Sequence, residues 1–280
     1  MNLRTVELML GDLVIHCDEA GEGERPLVLL HGLTGHRKDF ERQLPELAAH
    51  GRCLAPDLRG HGDSGRDLEP RGYDFDTMVG DLRELLDQLG IRKMDLLGHS
   101  FGGMFALRFT LAHPDRVGSL MLMSTSSEAP DGYTPETFVK AGGYATSKGM
   151  DQLQARLEEL GRGQEEPLPA DATADQRNWQ ARYWAHHKLR LLTMDPYAYG
   201  ALGVQMMEQV PVTERLPEVT CPSTVIVGAE DIEFVRGAAA LAKGLPDVVY
   251  HVMPGVGHHP HQESHARFLE IVGEHLTRAR

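Results

Sequence analysis

Gly98-His99-Ser100-Phe101-Gly102-Gly103 is the stretch of this sequence that decides the fold. It follows a short apolar run at residues 94–97 and precedes a run of helical period at residues 104–112. A serine with glycines two positions to either side, between strand and helix, is typical of a nucleophile elbow. The glycines are needed because such a sharp turn crowds the neighbouring backbone. The stretch therefore predicts a serine hydroxyl that projects alone into a cleft.

Other short apolar runs have the length of strands rather than helices. Residues 27–30 and 119–123 are two of them, and the segments 39–49 and 78–89 between the runs carry apolar residues at helical spacing. This alternation predicts strand-helix-strand units and a parallel sheet that is buried on both faces. The paired runs 6–10 and 13–16, joined at Gly11-Asp12, predict an antiparallel hairpin at one edge of that sheet.

The pattern changes at Ser126 and strand signal returns only at residues 223–227 and 248–252. A doubly wound sheet would not leave so long a stretch without a strand, so we expect an inserted helical subdomain. The predicted organisation is a core domain of residues 1–126 and 218–280 with a lid of residues 127–217. The predicted lid helices are residues 134–148, 150–160, 174–192 and 197–208, with a loose connection at residues 161–169.

A serine hydroxyl needs a base to take its proton and a third group to hold that base in the right tautomer. Two later strands run into candidates for both roles, Glu230-Asp231 and His258. The carboxyl ends of parallel strands converge at one edge of a sheet, so these groups can meet Ser100. We predict Ser100 as nucleophile and His258 as general base, with Asp231 or Glu230 as the orienting acid.

The run His258-His259-Pro260-His261 also raises the question of a metal, with His186 and His187 as further ligands. No spacing of histidine and carboxylate here matches a standard zinc site, so we predict no catalytic metal. His259 and His261 are interpreted as loop or helix-start residues.

The strand at residues 27–30 ends in His31-Gly32-Leu33, where a glycine lets the backbone approach a substrate carbonyl. We predict that the amides of Leu33 and Phe101 form the oxyanion hole. His31 is interpreted as a structural loop residue, and residues 57–64 as a charged segment that braces the neighbouring loops.

Composition excludes several classes of function for the 280-residue chain. The formal net charge of −13 opposes non-specific binding to nucleic acid or to an anionic membrane. No run of apolar residues is long enough to span a bilayer, and the chain does not start like a secretion signal. Three cysteines at unrelated spacings are read as reduced, so we expect a cytoplasmic protein. The oligomeric state is left open.

Taken together, these segments resemble the α/β-hydrolase superfamily. The resemblance is carried by His31-Gly32, residues 57–64, residues 98–103, residues 228–231 and Gly257-His258, in the family's order. It implies an α/β fold with a mostly parallel eight-stranded sheet, helices on both faces and a helical lid inserted after the sixth strand. In this family the spacing from Gly228 favours Asp231 over Glu230 as the acid.

Epoxide hydrolases and haloalkane dehalogenases of this superfamily carry an aspartate where this chain has Ser100, which disfavours their reactions. The chain is similar to serine carboxylesterases and enol-lactone hydrolases. This resemblance implies cleavage of a small to medium, hydrophobic carboxylic ester through an acyl-enzyme, without a cofactor. Two alternatives stay open: a lactone or carbon–carbon bond hydrolase with the same catalytic residues, and a noncatalytic ligand receptor.

Substrate choice is expected to lie in the predicted lid. The candidate pocket residues there are aromatic: Tyr133, Phe138, Trp179, Tyr183 and Trp184. At helical spacing, aromatic residues more often form the lid's own core, so both interpretations are kept. Arg182, His187 and Arg190 could instead bind a carboxylate-bearing substrate, although a solvated helix face is the simpler interpretation.

Overall fold

A computed structural model describes residues 3–66, 72–160 and 174–280, without the side chains of residues 174–176 and 179. These residues form one eight-stranded sheet with the spatial order β1-β2-β4-β3-β5-β6-β7-β8. The strands are β1 (Arg4–Leu10), β2 (Leu13–Ala20), β3 (Leu27–Leu30), β4 (Cys53–Pro56), β5 (Met94–His99), β6 (Val117–Met123), β7 (Ser223–Gly228) and β8 (Val248–Met253).

The direction of the strands matches the prediction. β1 and β2 form the expected antiparallel hairpin at one edge, and β2 also runs antiparallel to β4. All pairs from β4 across to β8 are parallel. The carboxyl ends of β3, β5, β7 and β8 therefore lie at one edge of the sheet, which is where the candidate functional residues follow.

Helices cover both faces of the sheet. They are α1 (Leu44–Leu47), α2 (Phe75–Gln88), α3 (Phe101–Ala112), α4 (Pro135–Lys148), α5 (Met150–Glu159), α6 (Ala174–Leu192), α7 (Pro196–Glu208), α8 (Val235–Gly244), α9 (Pro260–Glu263) and α10 (His265–Ala279). The apolar faces of α2, α3 and α8 pack into one buried cluster, whereas α1 and α10 pack into a second cluster on the opposite face. Burial on both faces explains why the central strands are continuously apolar.

The helix predicted at residues 39–49 is wrong as one element. The structure has a 3-10 turn at Arg37–Phe40, then the single-turn α1, and then a second 3-10 turn at Ala48–His50. Pro45 lies at the start of α1, where its missing N–H costs no hydrogen bond. In a continuous helix the same residue would break the ladder, so the helix begins anew there.

Four helices, α4 to α7, lie between β6 and β7 and form what we call the helical insert (Pro135–Glu208). Their bounds agree with the predicted helices to within one residue, and the parts of this region that the structure describes contain no strand. The predicted connection at residues 161–169 lies outside the described residues. Within the insert, α4 and α7 approach closely at Gly142 and Gly200, where a Cβ added at Gly142 would come within 2.6 Å of the Gly200 backbone.

The charged segment at residues 57–64 braces its neighbours as expected. The buried Arg37 pairs with Asp18 at 3.0 Å, with Asp63 at 2.7 Å, and with Asp57. Asp57 in turn accepts hydrogen bonds from the amides of Arg37 (2.6 Å) and Asp63 (2.9 Å). His31 also has a structural contact, because its Nε2 accepts from the amide of Leu58 at 3.0 Å.

Across the described part of the chain, no helix combines the length and the apolar character that crossing a membrane requires.

Candidate active site

Ser100 stands at the junction of β5 and α3 with φ 53° and ψ −122°. A positive φ is strained for a residue with a side chain, and the surrounding glycines make room for it. A Cβ at Gly98 would overlap the carbonyl of Gly102, and a Cβ at Gly102 would overlap the carbonyl of His31. The predicted strand-turn-helix elbow is therefore confirmed.

The structure brings Ser100, His258 and Asp231 together although they lie far apart in the sequence. His258 Nε2 is 3.0 Å from Ser100 Oγ, and His258 Nδ1 is 3.0 Å from Asp231 Oδ2. A carboxylate only accepts hydrogen bonds, so Nδ1 carries the proton and Nε2 is left to accept from the serine hydroxyl. Asp231 is buried and Glu230 is exposed, so Asp231 is the acid that this geometry favours.

Two neighbours that the sequence did not indicate, Phe234 and Glu263, hold the His258 ring and its loop. Phe234 stacks on the ring with centroids 4.9 Å apart. Glu263 accepts hydrogen bonds from the amides of Gly257 (2.6 Å) and His259 (2.8 Å), one on each side of His258. Glu263 lies in α9, after this loop in the sequence, and its contact back to the loop is visible only in the folded structure.

His99, the buried residue before Ser100, also contacts the loop that carries His258. Its Nε2 donates to the backbone carbonyl of His258 at 2.7 Å. Burial lowers the pKa of His99 to about 3, which keeps the ring neutral. A neutral ring has one N–H to donate, and here the carbonyl takes it.

The two residues predicted for the oxyanion hole both lie near Ser100. Leu33 lines the cavity above the serine, in the loop that follows β3. Phe101 is the first residue of α3, so its amide is among those that have no acceptor within the helix. The positive end of the α3 dipole also points at this place.

A cavity of about 270 Å³ opens over Ser100 between the sheet edge and the helical insert. Its apolar wall comes largely from the insert and the segment before it and includes Pro130, Tyr133, Phe138, Leu157, Leu191, Tyr199 and Met206. Its polar lining includes Thr34, Gln154, His187, Arg190, Glu233 and His259. The lining of the cavity is thus mixed, with polar and apolar side chains in similar numbers.

Of the five predicted pocket residues, Tyr133 and Phe138 line this cavity and Tyr183 and Trp184 do not. The side chain of Trp179 lies outside the described residues. Tyr183 lies behind the wall, with its hydroxyl 3.2 Å from His259 Nδ1. In α6 the residues facing the cavity are His187, Arg190 and Leu191, which lie one to two turns beyond Tyr183 on the same face of the helix. His187 and Arg190 are among the residues that the alternative interpretation, a carboxylate-bearing substrate, named.

Arg190 is the charged group of α6 that reaches the cavity wall, although it is only 3% exposed. Its Nη1 donates to His259 Nε2 at 3.0 Å, and its Nη2 donates to His187 Nδ1. Because both imidazoles accept from a guanidinium, each must be neutral. Burial and the nearby Arg190 charge hold the pKa of His259 well below its ordinary range, in agreement.

One group of three potential metal ligands is found among the described residues, formed by His36, Asp39 and His186. None of the three lines the cavity over Ser100. Around Ser100 itself, a hydroxyl, an imidazole and a carboxylate are hydrogen-bonded in series.

Comparison with known proteins identifies the family. The family model of the alpha/beta hydrolase fold matches residues 25–264. A putative 2-succinyl-6-hydroxy-2,4-cyclohexadiene-1-carboxylate synthase of Bacillus subtilis (strain 168) is 28% identical over 280 residues, 98% of each chain. A 2-hydroxy-6-oxononadienedioate/2-hydroxy-6-oxononatrienedioate hydrolase of Dechloromonas aromatica (strain RCB) is 26% identical and covers 95% of this chain and 91% of its own.

Among solved structures, a thermophilic esterase from Thermogutta terrifontis, determined with malate bound, is 25% identical. It superimposes with a TM-score of 0.83 over 99% of both chains. The family match, the eight-stranded sheet and the serine elbow agree on one assignment. The chain belongs to the alpha/beta hydrolase family and is a hydrolase by that membership.

Proposed function

We propose that the protein is a serine hydrolase that cleaves a small to medium, hydrophobic carboxylic ester through an acyl-enzyme. The observation that carries the proposal is the continuous hydrogen-bonded chain from Asp231 through His258 to Ser100, which ends at the floor of the cavity. A serine hydroxyl is a poor nucleophile unless a neighbouring base takes its proton, and this chain provides that base.

In the first half-reaction, His258 Nε2 takes the hydroxyl proton as Ser100 Oγ attacks the ester carbonyl carbon. The carbonyl oxygen becomes an oxyanion, for which the amides of Leu33 and Phe101 are the proposed donors. The imidazolium then gives its proton to the departing alcohol and the acyl-enzyme remains. In the second half-reaction, His258 activates a water that releases the acid and restores Ser100. No cofactor takes part in these steps.

The helical insert is proposed to act as the lid of this site and to select the substrate. Tyr133 and Phe138 supply the apolar surface that suits a hydrophobic acyl or alcohol group. The cavity of about 270 Å³ limits the group to small or medium size. The similarity to the Thermogutta esterase supports this class of substrate.

The test is hydrolysis of short and medium para-nitrophenyl esters by the wild type and by Ser100→Ala. We expect turnover by the wild type and a loss of about 10⁴-fold or more in kcat for the variant. A fluorophosphonate probe should label the wild type and not the variant. Equal turnover by both proteins would remove Ser100 from the mechanism. Failure of the probe to label the wild type would favour a noncatalytic ligand receptor.

A second candidate function is hydrolysis of a lactone or a carbon–carbon bond in a substrate that carries a carboxylate. Arg190 favours it, because a guanidinium in the wall of the cavity is suited to pair with an anionic group of a substrate. The names of the Bacillus and Dechloromonas relatives both contain a carboxylate or dioate.

The two candidates are separated by paired esters of equal length, one ending in a methyl group and one in a carboxylate. Under the second candidate, Arg190→Gln raises KM for the carboxylate ester by at least about tenfold. The variant leaves KM for the neutral ester nearly unchanged. Arg182→Gln is the matched control, because Arg182 lies on the same helix and is exposed. Equal effects of Arg190→Gln on both esters would favour the first candidate.

A further inference from the structure

A second group of chemically active side chains lies beside the cavity, where the core meets the helical insert. His36 and Asp39 belong to the segment that follows β3, and His186 belongs to α6. His36 and Asp39 are each 3% exposed, and the His186 side chain is 19% exposed. The proposed ester chemistry uses none of the three, so their burial has no explanation there.

The three side chains offer two imidazoles and one carboxylate to a common point. One potential ligand atom from each lies within 4.8 Å of the other two. His186 Nε2 is 2.5 Å from Asp39 Oδ1, and the rings of His36 and His186 are 4.8 Å apart between centroids. Ligands of a tetrahedral zinc ion stand about 3.4 Å from one another, given metal–ligand bonds of about 2.1 Å. Movements of the side-chain ligand atoms by about 1.5 Å would therefore bring them to the spacing of a tetrahedral zinc site.

Two buried atoms of this group lack a hydrogen-bond partner within the described part of the chain. They are His36 Nε2 and Asp39 Oδ2. Leaving such atoms unpaired away from water costs free energy, so a cation that these atoms can coordinate would be bound favourably. Arg190 Nη1 stands 3.7 Å from Asp39 Oδ2, which is an ion pair at a distance too long for a hydrogen bond.

We propose that His36, Asp39 and His186 form a binding site for a divalent cation of the zinc class. Two neutral imidazoles and one carboxylate are a ligand set that Zn²⁺ takes readily, with water in the fourth position. The positive charge of Arg190 opposes a second cation nearby. The site is therefore weaker than a closed site of four protein ligands and binds metal reversibly.

Occupancy of this site ties α6 of the helical insert to the loop that follows β3. His186 is the ligand from the insert, and the other two ligands come from the core. A bound cation stabilises the folded state because the unfolded chain does not hold the three ligands together. The melting temperature should therefore rise with zinc concentration, and α6 should become more protected from amide hydrogen exchange.

The test is calorimetric titration of the untagged full chain with Zn²⁺ after treatment with a chelator. We expect one saturable equivalent of zinc and a rise in melting temperature on addition of zinc. His36→Ala and His186→Gln should each weaken zinc binding by at least tenfold. His265→Ala is the matched control, because its imidazole binds Glu46 away from this group, and it should bind zinc like the wild type.

His259→Ala separates this site from the histidines of the cavity. Loss of zinc binding in His259→Ala, with full binding in His36→Ala and His186→Gln, would place the metal in the cavity and overturn the proposal. No saturable binding by the wild type would overturn it too. His186→Gln keeps the test valid if His36→Ala does not fold, since His186 is partly exposed and its loss leaves no buried gap.

Discussion

Asp231 and Glu230 are adjacent in the sequence, but their side chains lie in different environments. The Asp231 side chain is 2% exposed and reaches His258, whereas Glu230 points to solvent. Removing the charge of Asp231 while keeping its shape lets the imidazole adopt the wrong tautomer. We expect Asp231→Asn to lower kcat for a para-nitrophenyl ester by about 10⁴-fold.

The matched control for this prediction is Glu230→Gln, which removes the neighbouring charge and should leave kcat within about twofold of the wild type. Circular dichroism must show that both variants fold. A larger loss in Glu230→Gln than in Asp231→Asn would exchange the roles of the two residues.

Two glycines in helices allow opposite predictions for the same substitution. A methyl at Gly102 would overlap the backbone carbonyls of Leu30 and His31, whereas a methyl at Gly80 in α2 meets nothing within 4 Å. We expect Gly80→Ala to raise the free energy of unfolding by about 0.5–1 kcal/mol, because alanine loses less entropy in a helix. Gly102→Ala should lower it by about 1–3 kcal/mol or more, since the backbone must move. Urea unfolding of both variants checks the pair, and stabilisation by Gly102→Ala would contradict the close approach at the elbow.

At the scale of the element, the loop between β8 and α9 presents His258. Glu263 fixes this loop through two amides, one on each side of His258. Without that carboxylate, the imidazole can drift from Ser100, and a misplacement of about 1 Å can cost about 10²-fold in rate. We expect Glu263→Ala to lower kcat by roughly that factor while KM changes little.

Glu263→Gln should give an intermediate kcat, because its amide oxygen still accepts one hydrogen bond. Glu270→Ala serves as the control on α10, where Glu270 pairs with Arg267 at the surface. An unchanged kcat in Glu263→Ala would show that the loop holds its shape without this side chain.

Local pattern was enough to predict most elements and the residues that follow strand ends. The edge hairpin, the buried parallel strands and the helices of the insert all have a period that the sequence displays. Ser100, Asp231 and His258 could be placed because parallel strands bring their carboxyl ends to one edge. The prediction of one helix at residues 39–49 failed because a new helical turn begins at Pro45.

What the sequence could not predict are contacts between distant side chains. Asp39 contacts His186 and Arg190, which lie about 150 residues later in the sequence, and no local pattern links them. Tyr183 and Trp184 were chosen for their aromatic character, but the cavity lies beside the later turns of the same face of α6, where His187 and Arg190 stand. Which turns of a helix border a cavity depends on packing, which only the folded structure specifies.

For the whole molecule, buried histidines determine how stability depends on pH. Burial lowers the pKa of His99 to about 3 and of His275 to about 4, and holds the pKa of His31 and His261 well below the ordinary value. The unfolded chain therefore binds more protons than the folded chain between about pH 6.5 and pH 4. Their contribution to stability is complete above about pH 6.5 and is lost as the pH falls through that range.

Several such groups, His259 among them, make the expected dependence steep. Each costs about 1.4 kcal/mol for every pH unit below about 6.5, while a domain has about 5–15 kcal/mol in all. Acidification also reduces the self-repulsion of a chain with net charge −13. Salt screens that repulsion, whereas it hardly changes the cost of protonating a buried imidazole. We therefore expect the free energy of unfolding to fall by several kcal/mol between pH 6.5 and about pH 5.5.

Urea unfolding at pH 7.5, 6.5 and 5.5 measures this dependence directly. His275→Gln should reduce its slope by about one proton, because this variant removes one buried imidazole, whose Nδ1 lies 2.8 Å from the Thr224 hydroxyl. The glutamine can keep a hydrogen bond to that hydroxyl, so its effect at pH 7.5 should be small. A free energy of unfolding that stays constant from pH 7.5 to pH 5.5 would mean that these histidines reach water or a proton acceptor in the folded protein.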